Sequence, residues 1–182
     1  VAGSHQAIRF DAGWKGTMLK CHELFGFMTP GLAQEILDFV YKNEKPVYRG
    51  ILVAVAEARK LRPIYYERKP RSERHKDMLE MLSRPRMETV SADLLRNWLL
   101  KSESTMLKEF LDLLQIQHKD GIVEDFPTTI DDALLKSAVD ALLAKYPKER
   151  VIIYLSGFCA MNTASWPNLE TMLGSDERLQ LI

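Results

Sequence analysis

The chain has 182 residues, 46% hydrophobic and 27% charged, with 25 basic side chains against 25 acidic ones. That size and apolar content fit one globular domain with a real core, and the balanced charge excludes any argument from net charge for nucleic acid, membrane or acidic partners. Cys21 and Cys159 are too far apart for a metal-ligand spacing and read as cytosolic thiols, and the longest apolar run, residues 51–56, falls far short of a membrane span.

Residues 1–17 stand apart. Gly3-Ser4-His5 resembles an expression-vector remnant, and the apolar residues Ile8, Phe10 and Trp14 after it keep no period. An N-terminal arm, vector-derived or flexible, is expected over 1–17, with one all-α domain over 18–182. No basic segment followed by an apolar one marks a secretory leader. Over 19–28 a short helix or turn is expected to face Leu24, Phe25 and Phe27 inward. Thr29-Pro30 starts the next helix, with Thr29 as cap and Pro30 at the first position, where its missing N–H costs nothing. Leu32, Ala33, Ile36, Leu37 and Val40 form its buried stripe. After the turn at Asn43-Glu44-Lys45, Pro46 opens a helix over 46–60. Its segment ILVAVA is apolar nearly all round, which places it in the middle of a bundle.

Proline disfavours the helical conformation in the residue before it, so Arg62 should be extended and 64–69 should run as a loop. A helix over 71–83 follows, with Met78, Leu79 and Leu82 inward, until Arg84-Pro85 breaks it. From Asp93 to Gln115 two apolar stripes flank the polar break Lys101-Ser102-Glu103-Ser104, the pattern of an αα-hairpin. The pair before it and the pair after it, broken at Lys145-Tyr146-Pro147, echo the pattern. Between them, Asp120-Gly121 and the β-branched Ile122-Val123 suggest a small hairpin. Asp131 and Asp132 read as a helix start. Residues 151–158 are again apolar nearly all round, so this helix is the second central one. Leu52, Val55, Ile152 and Leu155 are expected to share one buried cluster. Trp166-Pro167 begins the last helix, with Gly174 at its C-terminal cap.

Little here carries chemistry. Cys21 and His22 are adjacent, and neighbours on a helix point about 100° apart, so they are poorly placed as nucleophile and base. Cys159 reads as a small core residue. Ser156-Gly157 lacks a nucleophile elbow, and the nine glycines form no phosphate loop. His118, Asp120, Glu124 and Asp125 are the one metal-like cluster, against the plainer reading of a solvated turn.

Local charge is asymmetric. Residues 59–76 hold eight Lys or Arg against Glu67 and Glu73, whereas 103–140 hold nine acids against three lysines. The basic segment is either a site for an anionic partner or a solvated face, salt-bridged to the acidic half of the chain.

The expected fold is all-α: a compact bundle of three αα-hairpins with short flanking helices, or a degenerate helical repeat of them. The expected function is a non-enzymatic, cytoplasmic protein-binding or scaffold module. A second reading is nucleic-acid or other polyanion binding through Arg59, Lys60, Arg62, Arg68, Lys69, Arg71 and Arg74, with Tyr65 and Tyr66 to stack on bases. A third is a metal-assisted enzyme at 118–125. No cofactor and no membrane partner are expected.

Overall fold

A computed structural model of the protein describes residues 18–162 and 166–181; the arm over 1–17 lies outside them. The fold is all-α, with ten helices among the described residues. They are α1 (Cys21–Phe27), α2 (Pro30–Asn43), α3 (Lys45–Ala58), α4 (Pro63–Glu67), α5 (Arg71–Leu82), α6 (Glu88–Lys101), α7 (Ser104–Leu113), α8 (Asp132–Lys145), α9 (Lys148–Met161) and α10 (Pro167–Ser175). Short 3-10 turns span Pro85–Met87 and Glu177–Leu179. The three expected hairpins are α2–α3, α6–α7 and α8–α9. No helix among the described residues is long and apolar enough to cross a membrane.

Helix starts follow their local signals. Thr29 Oγ1 accepts from Leu32 N–H with Pro30 at the first helical position, and Asp131 accepts from Leu134 N–H at 3.0 Å. Two helix ends use left-handed residues that are not glycine. At Lys60 (φ 57°) and Gln115 (φ 57°) the chain reverses, and the next N–H reaches back to Ala56 O and Leu111 O, closing a Schellman motif.

Helix α6 lies at the centre, packed by α1, α2, α3, α5, α7 and α9. Helix α1 touches both α5 and α9, so the chain closes on itself. Every residue of α9 from Val151 to Phe158 is buried. Leu52, Val55, Ile152 and Leu155 belong to one apolar cluster that extends from Cys21 to Leu179. Arg150 clamps the centre. Its guanidinium donates to Glu103 at 2.5 Å and to both oxygens of Glu35 at 2.7 Å, and lies 5.8 Å from the centre of the Trp98 ring.

Five local expectations are corrected. Residues 63–67 form a helical turn, α4, because Pro63 serves as a helix opener as well as a stop: Arg62 is extended, as expected, and the proline presets the first helical φ. Phe27 faces out, while Cys21 and His22 join Leu24 and Phe25 inside. Helix α3 is not central on all sides, since Val53 and Ala54 are only half-buried. Gly174 lies within α10, which continues to Ser175. The turn at Asp120-Gly121, both residues with positive φ, makes a single antiparallel bridge between Lys119 and Ile122 and no strand.

Candidate functional site

The basic segment crosses the end of α3, the knuckle α4 and the start of α5, and the structure divides its side chains into two groups. The first is engaged within the molecule. Arg74 is 9% exposed; its Nε donates to Tyr48 Oη at 2.9 Å and one terminal nitrogen donates to Glu67 O at 3.0 Å. Arg59 pairs with Asp77 and stands 3.6 Å from Glu80. Lys69 sits 3.6 Å from Glu73 and over the rings of Tyr65 and Tyr66. Arg71 stacks 5.0 Å from the centre of Tyr41. The second group is Lys60, Arg62, Arg68 and Lys76, which make no ion pair among the described residues. No ion pair there joins 59–76 to the acidic stretch 103–140, so the salt-bridged reading is corrected: the acids that neutralise this segment are local to it. Residues at helical spacing on α5 and its neighbours meet each other sooner than a distant surface.

The two tyrosines separate. Tyr66 is fully buried, whereas Tyr65 is 56% exposed. Adjacent residues on a helical turn point about 100° apart, so one enters the core and the other leaves it. A paired stacking platform is therefore absent. Instead Tyr65, Ile64, 55% exposed, and Leu61, 36% exposed, fall within eight residues of chain that also hold Arg62 and Arg68. Exposed apolar side chains interleaved with cations suit a protein contact more than a phosphate cradle.

Beside the knuckle lies a cleft of about 490 Å³ between α2 and α3, lined by Tyr41, Lys42, Lys45, Tyr48, Arg49 and Arg74 among others. Arg49 pairs there with Glu67. Lys42, Lys45 and Arg49 escape a reading of the sequence as site residues because the break at Glu44 puts Lys42 on α2 and the other two on α3. The i, i+4 spacing of Lys45 and Arg49 puts those two on one face, and the turn between the helices brings Lys42 beside them. Under the cleft lies a partly buried polar network. Gln34 Nε2 stands 3.0 Å from both His75 Nδ1 and Asp38 Oδ1, so its two N–H groups serve both acceptors. The proton of neutral His75 then resides on Nε2, which donates to Tyr48 Oη at 3.0 Å. Burial, opposed by nearby Asp38 and reinforced by Arg74 and Arg71, pushes the His75 pKa down; burial pushes the Tyr48 phenol up.

The other candidates do not assemble. Cys21 is fully buried, and burial with the neighbouring Glu88 charge pushes its thiol up to about 12. Glu88 spends its carboxylate on Cys21 N–H, His22 N–H and His22 Nδ1, the last at 2.5 Å. Burial raises its pKa, but these donors outweigh that and hold it low. Burial, then Glu170, likewise pushes Cys159 up to about 12. In the 118–125 segment both nitrogens of His118 are used: Nδ1 accepts from Gly121 N–H at 3.1 Å, and Nε2 donates to Asp112 at 2.9 Å. Asp120 turns to Lys108. Among the described residues no three His, Cys, Asp or Glu side chains converge as a metal-ligand group.

No protein-family model, no curated protein and no solved structure matches this chain.

Proposed function

We propose that the protein is a non-enzymatic docking module that binds an acidic protein segment through the α4 knuckle. The observation that carries this reading is that Leu61, Ile64 and Tyr65 are exposed within eight residues of chain that also hold Arg62 and Arg68, neither of which forms an ion pair among the described residues. An apolar anchor desolvates on contact while the arginines meet carboxylates at the rim, bidentately where geometry allows. Such a partner carries one or two large apolar side chains flanked by Asp or Glu. Reduced thiols at Cys21 and Cys159 suit a cytoplasmic setting.

Polyanion binding is the second reading, favoured by Lys42, Lys45 and Arg49 beside Arg74 in the cleft. It is weakened by the internal engagements of Arg59, Lys69, Arg71 and Arg74. Titration with a labelled acidic peptide containing Leu and Phe, and separately with single- and double-stranded oligonucleotides, distinguishes them. On the docking reading the peptide binds, Ile64→Asp weakens it at least about tenfold, and salt has a shallow effect. Oligonucleotide binding with a steep salt slope, unaffected by Ile64→Asp but flattened by Lys42→Ala and Lys45→Ala, supports the polyanion reading instead. If neither probe binds at low salt, both readings fail.

A further inference from the structure

Arg74 is the residue that the packing around the basic cleft does not explain. It is 9% exposed, yet its hydrogen bonds run only to neutral acceptors, the Tyr48 hydroxyl and the Glu67 carbonyl. Its second terminal nitrogen makes no hydrogen bond, and the guanidinium forms no ion pair, among the described residues. A buried cation ordinarily meets a counter-charge, since little water is left to offset its charge. The bonds to Tyr48 and Glu67 therefore hold the group in place without neutralising it.

The other charges at the cleft do not supply the missing one. Helix α2 contributes Lys42, α3 Lys45 and Arg49, α4 Glu67 and α5 Arg74, four cations against one carboxylate. That carboxylate pairs with Arg49. Asp38, one turn before Lys42 on α2, is engaged by Gln34 and His75. Lys42 and Lys45 are exposed and form no ion pair among the described residues. Lys42, Lys45 and Arg74 thus come from three helices, line one space of about 490 Å³ and leave three positive charges unmatched there. That volume lies in the range of small-molecule sites.

We propose that this cleft binds a small phosphate monoester, its phosphate held by the exposed Lys42 and Lys45 over the fixed charge of Arg74. Charge and size narrow the class. The unmatched cations call for more than one negative charge in a compact group. A phosphate monoester carries about 1.5–2 at neutral pH, with three strong acceptor oxygens. A carboxylate or a sulfate ester brings one, and a nucleic-acid backbone brings one per phosphate, spread along the chain. The lysine ammonium groups are mobile point charges that settle on a phosphate, whereas the anchored guanidinium cannot move away from it. Tyr41 and Leu52 line the same space and offer apolar surface to the body of the molecule. The proposal rests on the anion-binding cleft of the second reading above and changes its ligand; it is independent of docking at the α4 knuckle.

Phenyl phosphate and phenyl sulfate match in shape and differ in charge, which makes them the probe pair. Inorganic phosphate and a single-stranded oligonucleotide without terminal phosphates are the further arms. Affinities for the full chain are measured by NMR titration at pH 7.5 and low salt. Phenyl phosphate is expected to bind at least about tenfold more tightly than phenyl sulfate, and more tightly than inorganic phosphate, with shifts at Tyr41, Lys45 and Leu52. Changing both Lys42→Ala and Lys45→Ala should weaken it at least about tenfold and leave the thermal transition in place, because both side chains are exposed. Arg74→Met should abolish the preference for phosphate over sulfate; if that variant does not fold, the lysine variant decides alone. No binding of phenyl phosphate up to about 10 mM overturns the proposal. So do equal affinities for phenyl sulfate or for inorganic phosphate, full affinity in the lysine variant, or a preference that survives in folded Arg74→Met. Oligonucleotide binding without phenyl phosphate binding overturns it and keeps the polyanion reading, whereas the converse supports it and removes that reading.

Discussion

Two tyrosines on neighbouring layers bury their rings by different means. Tyr48, on α3, stands in the polar network under the basic cleft, where its oxygen accepts from Arg74 and from His75. Tyr41 packs edge-on against it at 5.0 Å. Tyr154, on α9, stands among rings, edge-on to Phe110 at 5.4 Å and to Phe158 at 6.1 Å, and its hydroxyl meets no partner among the described residues. Phe158 in turn packs on Phe126 and Trp166. The network of α2, α3 and α5 thus satisfies the Tyr48 oxygen, though the buried Tyr66 hydroxyl on α4 finds no partner among the described residues, whereas the α7–α10 side packs Tyr154 by apolar surface alone. The same residue type therefore serves as a hydrogen-bond acceptor on one side and as packed ring surface on the other.

The largest test of this contrast lies in the apolar layer. Leu155→Ala should cost about 2–5 kcal/mol, because a fully buried leucine loses transfer energy and leaves a cavity between α9 and its neighbours. The check is a denaturant midpoint that falls while the slope stays fixed. Leu52→Ala should cost less within that same range of about 2–5 kcal/mol, because α3 has a half-buried side toward which its neighbours can relax. A larger loss at Leu52 would place the structural centre in α3 instead.

The two tyrosines give the sharper comparison. Tyr48→Phe leaves Arg74 Nε–H and His75 Nε2–H without their acceptor and should destabilise by about 1–3 kcal/mol. Tyr154→Phe removes a hydroxyl that has no partner and should be neutral or stabilising. Thermal melts of the two variants side by side measure the difference, and equal losses would erase the distinction between the two sides.

Acid should act on the polar side first. His75 faces Asp38 on α2, Tyr48 on α3, and Arg71 and Arg74 on its own helix, and its folded pKa lies below the ordinary 6.5. As pH falls the unfolded chain takes up this proton before the folded one does. The stability associated with neutral His75 is therefore full above about pH 6.5 and declines as pH falls from there toward the folded value. Urea midpoints at pH 7.5, 6.5 and 5.5 should fall across that window, and His75→Gln should flatten the trend. An unchanged slope in the variant would assign the effect elsewhere.

The smallest effect belongs to the knuckle. Ile64→Ala and Tyr65→Ala, both more than half exposed, should move stability by no more than about 0.5 kcal/mol. A larger loss would show that these side chains support the fold and are not held outward for a partner.

Helix positions were legible where the signals are local. Thr29-Pro30, Asp131 and the break at Ser102-Glu103 act within a turn of the chain, and each expected hairpin is present. The turn at Asp120-Gly121 was legible as well, since both residues take the left-handed conformation that this dipeptide favours. The knuckle was misread because proline both ends and begins helices, and the choice depends on whether the following residues find burial; Tyr66 does. The basic segment was legible as composition and not as a site. Its formal charge says nothing of Arg74, whose guanidinium enters the interior because Tyr48 Oη and Glu67 O stand ready to accept from it.

What the amino-acid order determined by itself is the longer helices, the starts at Thr29 and Asp131 and the apolar stripes that must be covered, because hydrogen bonds and side-chain periodicity are settled within a few residues. The tertiary packing decided which charges remain unpaired, which of two adjacent tyrosines is buried, and which hydroxyl has no partner. Those outcomes depend on groups far apart in the chain, such as Gln34 with His75 and Arg150 with Glu35, whose distances are fixed only when the helices meet.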